Sequence, residues 1–227
     1  MAVRLFLLLL IPFALSLAEN LKGKISLETA KIILSSKTLL KDAIITRYVN
    51  LLGSTLVKYS SEPELRVRFG VIEDRMPMSL SAPWLYVFIS QEAIRKAQNE
   101  AELAGIIAHE LAHIILNHHS MSAFGQSAPD SKMPIEEAAR RLAKVSLEER
   151  FSIEQEIEAD RYAIYLLFQA GYDPLALMKF LKREGDNSET TRQRIAAIES
   201  FIQQGGIRGE FKLNTARFLK ATESIRR

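Results

Sequence analysis

The sequence predicts an α+β fold, mostly helical, with a small β-sheet at the edge of the candidate site. Three observations carry this. Long segments repeat apolar residues at helical spacing between cap-like residues. Two short runs, Leu65–Val71 and Trp84–Ile89, read as strands, the first by apolar–polar alternation and the second by its apolar and aromatic content. All four histidines fall between His109 and His119, in and just after one helical segment.

In chain order, Ile25 to Tyr59 reads as one long helix or two, rich in Leu, Ile, Lys and Thr with one glycine and no proline. The strand Leu65–Val71 follows, and Pro77 and Pro83 bracket a turn-like segment before the strand Trp84–Ile89. Asn99 is a candidate N-cap with Glu102 as its reciprocal partner. The helix it opens carries a broad apolar face of Leu103, Ile106, Ile107, Leu111, Ile114 and Ile115. Ser120–Pro134, with its Gly, Ser, Pro and Asp, reads as a loop, and Ile135 to Glu148 as a charged amphipathic helix. Glu149 to Ala170 is the next helix, stopped by Gly171, with Asp173-Pro174 starting another. Thr190 with Gln193 caps a helix to Phe201, and Gly205-Gly206 precedes a basic amphipathic end.

Residues 1–18 have the form of a secretory signal peptide. Arg4 supplies the positive start, Leu5 to Leu17 the apolar run, and Ser16-Leu17-Ala18 the small residues of a cleavage site before Glu19. The run is short for a membrane span, which needs about 20 apolar residues. No later stretch approaches that length, so a soluble exported protein, periplasmic or secreted, is expected. The chain has no cysteine, which rules out disulfides and thiolate metal ligands. The net charge is +3 without a long basic run interleaved with aromatics, which gives a nucleic-acid role no support and allows at most peripheral contact with anionic lipid.

The chemistry concentrates in His109-Glu110-Leu111-Ala112-His113. Two histidines four apart on a helix lie one turn above each other, so both imidazoles can reach one metal ion, most naturally zinc, one per chain. Glu110 lies on the same side and can take a proton from the attacking water. A catalytic zinc usually has three protein ligands and one open position. Two candidates compete for the third. Glu156 shares a helix face with Asp160 one turn on, which can take the ring N–H of a ligand histidine. His119 stands at the metzincin spacing, but Leu116 occupies the place of the glycine at which such a helix stops and favours continuing it. On that reading His118 and His119 are helix-end residues complementing the dipole. Glu154 and Glu158 fall on other faces.

With both helices in view, the chain resembles the gluzincin endopeptidases of peptidase family M48, which include the BepA-like, HtpX-like and CAAX-prenyl-protease-like enzymes. The matching stretches are Asn99 through His113, Gln155 through Arg161 and Ala170 through Pro174, within roughly Glu64 to Ser200. The resemblance implies zinc bound by His109, His113 and Glu156, Glu110 as base, and Asp160 behind a ligand histidine. It also implies a minimal exported form: an N-terminal helical region over 19–63, a catalytic domain over 64–204 and a basic tail over 205–227. Two departures stand out. Trp84 and Leu85 occupy places where relatives carry glycines, which can narrow the cleft. Ser188-Glu189 replaces a His-Pro pair, leaving Arg194 as the matching polar group, with a role at the oxyanion implied by resemblance alone. The expected function is a zinc metalloendopeptidase of the cell envelope acting on unfolded or misassembled exported proteins. The alternatives are a zinc-binding chaperone-like or latent module, and a metzincin-like protease using His119.

Overall fold

The computed structural model describes residues 21–125, 129–130, 132–148 and 151–226, and the predicted export segment 1–18 lies outside them. Of the one or two helices expected over 25–59, two form. Helix α1 covers residues 21–35. It stops where Ser35 and Ser36 turn their hydroxyls back onto the carbonyls of Ile32 and Ile33, at 2.7 and 3.0 Å, in competition with the backbone ladder. Strand β1 (Thr38–Leu39) follows. Helix α2 (Ala43–Lys58) starts at Asp42, whose Oδ1 accepts from the amides of Ile44 and Ile45.

Strands β2 (Arg68–Glu73), β3 (Ser79–Ala82) and β4 (Tyr86–Ser90) complete a four-stranded sheet in the order β1-β2-β4-β3. β2 and β4 pair in parallel, and β1 and β3 pair antiparallel on the two edges. Two expectations change here. The segment between Pro77 and Pro83 is strand β3 rather than a turn, because both prolines flank the strand and leave its ladder intact. The following strand begins at Tyr86, since Trp84 takes a left-handed backbone (φ 71°) in the β3–β4 turn. Its ring is buried with Ile25, Ala138 and Leu142, so it ties α1 to the hairpin.

β4 runs into α3 (Gln91–Lys96) through Ser90, whose Oγ accepts from the Ala93 amide. Helix α4 (Glu100–Ile115) then crosses the centre of the molecule. Asn99 caps it as predicted, accepting from the Glu102 amide at 2.9 Å. Glu102 instead reaches the amide of Gln98 and pairs with Arg183 at 2.6 Å. Leu103, Ile107 and Leu111 form the middle of the main core, which takes in α2, the sheet and the later helices. Gly105 lets the backbone of α8 (Ala176–Glu184) approach: a Cβ there would lie 3.0 Å from Leu177 Cβ.

The helix does not continue past Leu116. Asn117 adopts a left-handed conformation (φ 60°), which asparagine tolerates better than most residues, and the chain turns into α5 (His118–Phe124). The predicted loop 120–134 is therefore helical to Phe124, and α6 (Ile135–Leu147) follows as expected. Helix α7 (Ile153–Gln169) starts later than expected. Ser152 and Gln155 form a capping box that sets its first turn. It ends at Gly171 (φ 75°), where the Tyr172 amide returns to Leu167 O at 2.8 Å. Helix α9 (Glu189–Gly205) is capped by Ser188 rather than Thr190, and α10 (Ala216–Arg226) returns Phe218 to the main core. No helix among the described residues is long and apolar enough to cross a membrane.

Candidate metal centre

Helices α4 and α7 pack face to face through small residues. Ala108 and Ala112 on one and Ala159 and Ala163 on the other are all fully buried, which brings the two backbones close. The i, i+4 pairs His109/His113 and Glu156/Asp160 therefore meet across the contact. His109 Nε2 and His113 Nε2 lie 3.0 Å apart. Glu156 sits 3.4 Å from the first through Oε2 and 3.8 Å from the second through Oε1.

These donors fit a divalent metal. All three ligand atoms lie within 4.8 Å of one another. Their separations bracket the edge of about 3.3 Å expected for a tetrahedron with bonds of 2.0–2.1 Å. Two imidazoles and a carboxylate are a catalytic zinc donor set, and the group faces a cavity of about 200 Å³, which leaves room for a fourth position.

Outer partners fix these donors. Nδ1 of His109 lies 2.9 Å from Asp160 Oδ1. Asp160 also accepts from Arg194 Nε and Nη2, each at 2.7 Å, and Arg194 Nη1 reaches Glu156 Oε2 at 2.8 Å. The other ring nitrogen of His113 contacts His118 Nδ1 at 2.9 Å, and its ring stacks on Phe151 with centroids 4.0 Å apart. His118 in turn approaches the exposed Glu158 at 3.3 Å.

The charges follow from these contacts. Burial alone would lower the pKa of His109, but hydrogen bonds to Asp160 and Glu156 outweigh it and push the value up to about 9. Burial raises the carboxyls of Asp160 and Glu156, yet Arg194 on the former and His109 on the latter hold both below the usual range. Burial dominates for the other histidines: His113 is far below its ordinary value, His118 is lowered and His119 is pushed to about 4. His118 and His119 are therefore neutral, buried residues at the start of α5, not the cations at a helix end that the sequence suggested.

Glu110 faces the same cavity. Its Oε1 accepts from Ser79 Oγ at 2.7 Å and its Oε2 from Ser81 Oγ at 2.6 Å. His119 also lines the cavity, with Nε2 3.3 Å from Ser81 Oγ, and it lies outside the ligand group. Trp84 and Leu85 do not line the cavity. Its wall is instead Leu80, Val145, Ser146 and Phe151. Sequence reasoning missed Ser79 and Ser81. Their i, i+2 spacing puts both on one face of a strand, a signal hidden by reading that segment as a turn.

A model of peptidase family M48 matches residues 81–203, more than half of the chain. Among similar curated proteins, the putative beta-barrel assembly-enhancing protease of Vibrio cholerae serotype O1 is 26% identical over 170 residues, covering 67% of this chain and 35% of that protein. The beta-barrel assembly-enhancing protease of Escherichia coli is 26% identical over 166 residues, covering 65% and 34%. The mitochondrial metalloendopeptidase OMA1 of Schizosaccharomyces pombe is 25% identical over 186 residues, covering 73% and 55%. The chain spans about a third of the length of the first two relatives.

Proposed function

From the premise that the chain belongs to peptidase family M48, a family of peptide hydrolases, we propose that it is a zinc metalloendopeptidase of the cell envelope, acting on unfolded or misassembled exported proteins. The observation that carries this is the convergence of His109, His113 and Glu156 within 4.8 Å, with Glu110 facing the same cavity. The signal-like sequence over 1–18 supports export. The relatives, proteases named for beta-barrel assembly and a mitochondrial metalloendopeptidase, support protein substrates.

Zinc bound there would polarise the scissile carbonyl and lower the pKa of an attacking water to about 7. The chain's own residues do the rest. Glu110 takes the water proton and passes it to the leaving amine. Asp160 fixes the ring of His109, and His118 and Phe151 fix that of His113. Arg194 spends its nitrogens on Asp160 and Glu156, which favours a positioning role behind the ligands over direct contact with an oxyanion.

A latent resting state is the second reading, favoured by the cover on β3. Ser146 of α6 donates to Ser81 O at 2.8 Å, occupying a carbonyl on the strand edge that an extended peptide would otherwise pair with. Purified chain loaded with one equivalent of zinc and incubated with an unfolded protein tests both. Cleavage abolished by chelator and restored by zinc supports the peptidase. Stoichiometric zinc without cleavage supports the latent state.

A further inference from the structure

Glu110 is held at both of its oxygens. The two donors, Ser79 and Ser81, come from the same face of edge strand β3, and Ser81 is 2% exposed. Hydroxyls 2.6–2.7 Å from a carboxylate are charge-assisted hydrogen bonds, stronger than neutral ones. An unrestrained glutamate has three soft torsions, the last of them broad. Two donors on opposite oxygens fix all three.

We propose that Ser79 and Ser81 are positioning residues that clamp the general base Glu110 in its working orientation. The proposal rests on the peptidase reading above. A carboxylate has about four lone-pair sites, so two remain for the water after both serines have donated. Ser81 Oγ has a second partner within reach, His119 Nε2 at 3.3 Å. The proton that Glu110 takes from the water sits on a lone pair facing the cavity, so the lone pairs facing Ser79 and Ser81 go on accepting. With its Nε2 protonated, His119 donates to Ser81 Oγ and leaves the serine hydrogen aimed at Glu110. The serine proton stays on the serine throughout, and the proton taken from the water leaves with the amine product.

The strand that presents the clamp is held from the other side. Ser146 donates to Ser81 O, and Ser90 Oγ accepts from the Met78 amide and donates to Met76 O, which anchors both ends of β3. The serines are thereby placed by rigid backbone rather than by a loop.

The test is steady-state proteolysis by the zinc-loaded full chain carrying Ser79→Ala, Ser81→Ala, both together, Ser81→Thr, His119→Ala and Glu110→Gln, with zinc content and thermal midpoint measured on each. Each single alanine variant is expected to lower kcat about 10-fold, and the double variant about 10²-fold, the scale of a misplaced catalytic group. KM and zinc content are expected to stay at the wild-type level. Ser81→Thr restores the hydroxyl and recovers most of kcat, and His119→Ala lowers kcat a few-fold. Wild-type kcat in the double variant, with Glu110→Gln inactive, would overturn the clamp and leave the peptidase reading standing. A fall in zinc content that accounts for the lost turnover would overturn it too. Equal turnover in Glu110→Gln and wild type would overturn the underlying reading and the clamp with it.

Discussion

Asp160 and Arg194 face each other as a two-pronged pair between α7 and α9, with both arms 2.7 Å long and the Asp160 side chain 1% exposed. The pair places a full negative charge directly behind His109 while keeping that charge compensated. Removing the guanidinium leaves Asp160 buried with only the imidazole beside it. Arg194→Ala is expected to cost about 3–5 kcal/mol, as for breaking a buried ion pair, and to weaken metal binding about 10–100-fold, as for losing an outer partner of a ligand. Urea unfolding and competitive zinc titration check both. Wild-type stability with wild-type zinc affinity would contradict the positioning role.

The third ligand separates two enzyme classes. Glu156 is within 3.8 Å of both His109 and His113, whereas His119 turns its Nε2 to Ser81. Glu156→Ala is expected to lose more than the about 10–100-fold in zinc affinity typical of outer-shell changes, and His119→Ala to keep one zinc. Metal analysis after dialysis reads this directly. The opposite pattern would favour the metzincin-like arrangement.

Trp84 provides a control away from the chemistry. It packs among Ile25, Ala138 and Leu142 and does not line the cavity. Trp84→Ala is expected to cost about 3–5 kcal/mol of stability, the usual range for emptying such a site. Turnover per folded molecule should not change. A rise in kcat/KM would mean that the ring narrows the cleft after all.

Gly105 marks the closest approach of α4 and α8. An added methyl would sit 3.0 Å from Leu177 Cβ and 3.2 Å from its backbone, and backbone cannot step aside as a side-chain end can. Gly105→Ala is therefore expected to destabilise by about 1–3 kcal/mol despite the better helix propensity of alanine. A stabilised variant would show that the two helices separate freely.

The helices were legible where caps and apolar spacing agreed. Asn99 as cap (without Glu102 as its partner), Gly171 and the face of Leu103, Ile107 and Leu111 stand as read, and the side chains of His109, His113, Glu156 and Asp160 lie together. The misread places share a cause: a local signal overridden by neighbours. Leu116 favours a continuing helix, but left-handed Asn117 stops it. Pro77 and Pro83 look like turn residues, but they stand just outside a four-residue strand. Misreading β3 hid Ser79 and Ser81, and with them the contacts of Glu110. The sequence singles out Arg194, Asp160 and Glu156 but not their pairing, because α7 and α9 approach only through the tertiary fold.

On the proposed function, Glu110 acts as base beside a metal held by His109, His113 and Glu156. The most direct measurement compares wild type with Glu110→Gln in cleavage of an unfolded protein such as casein, with zinc content determined on the same samples. About one zinc is expected in both proteins, since His109, His113 and Glu156 are kept, with a loss of turnover in the variant of about 10²–10⁴-fold, the usual contribution of general acid–base catalysis. Undiminished cleavage by Glu110→Gln at full zinc occupancy would contradict it.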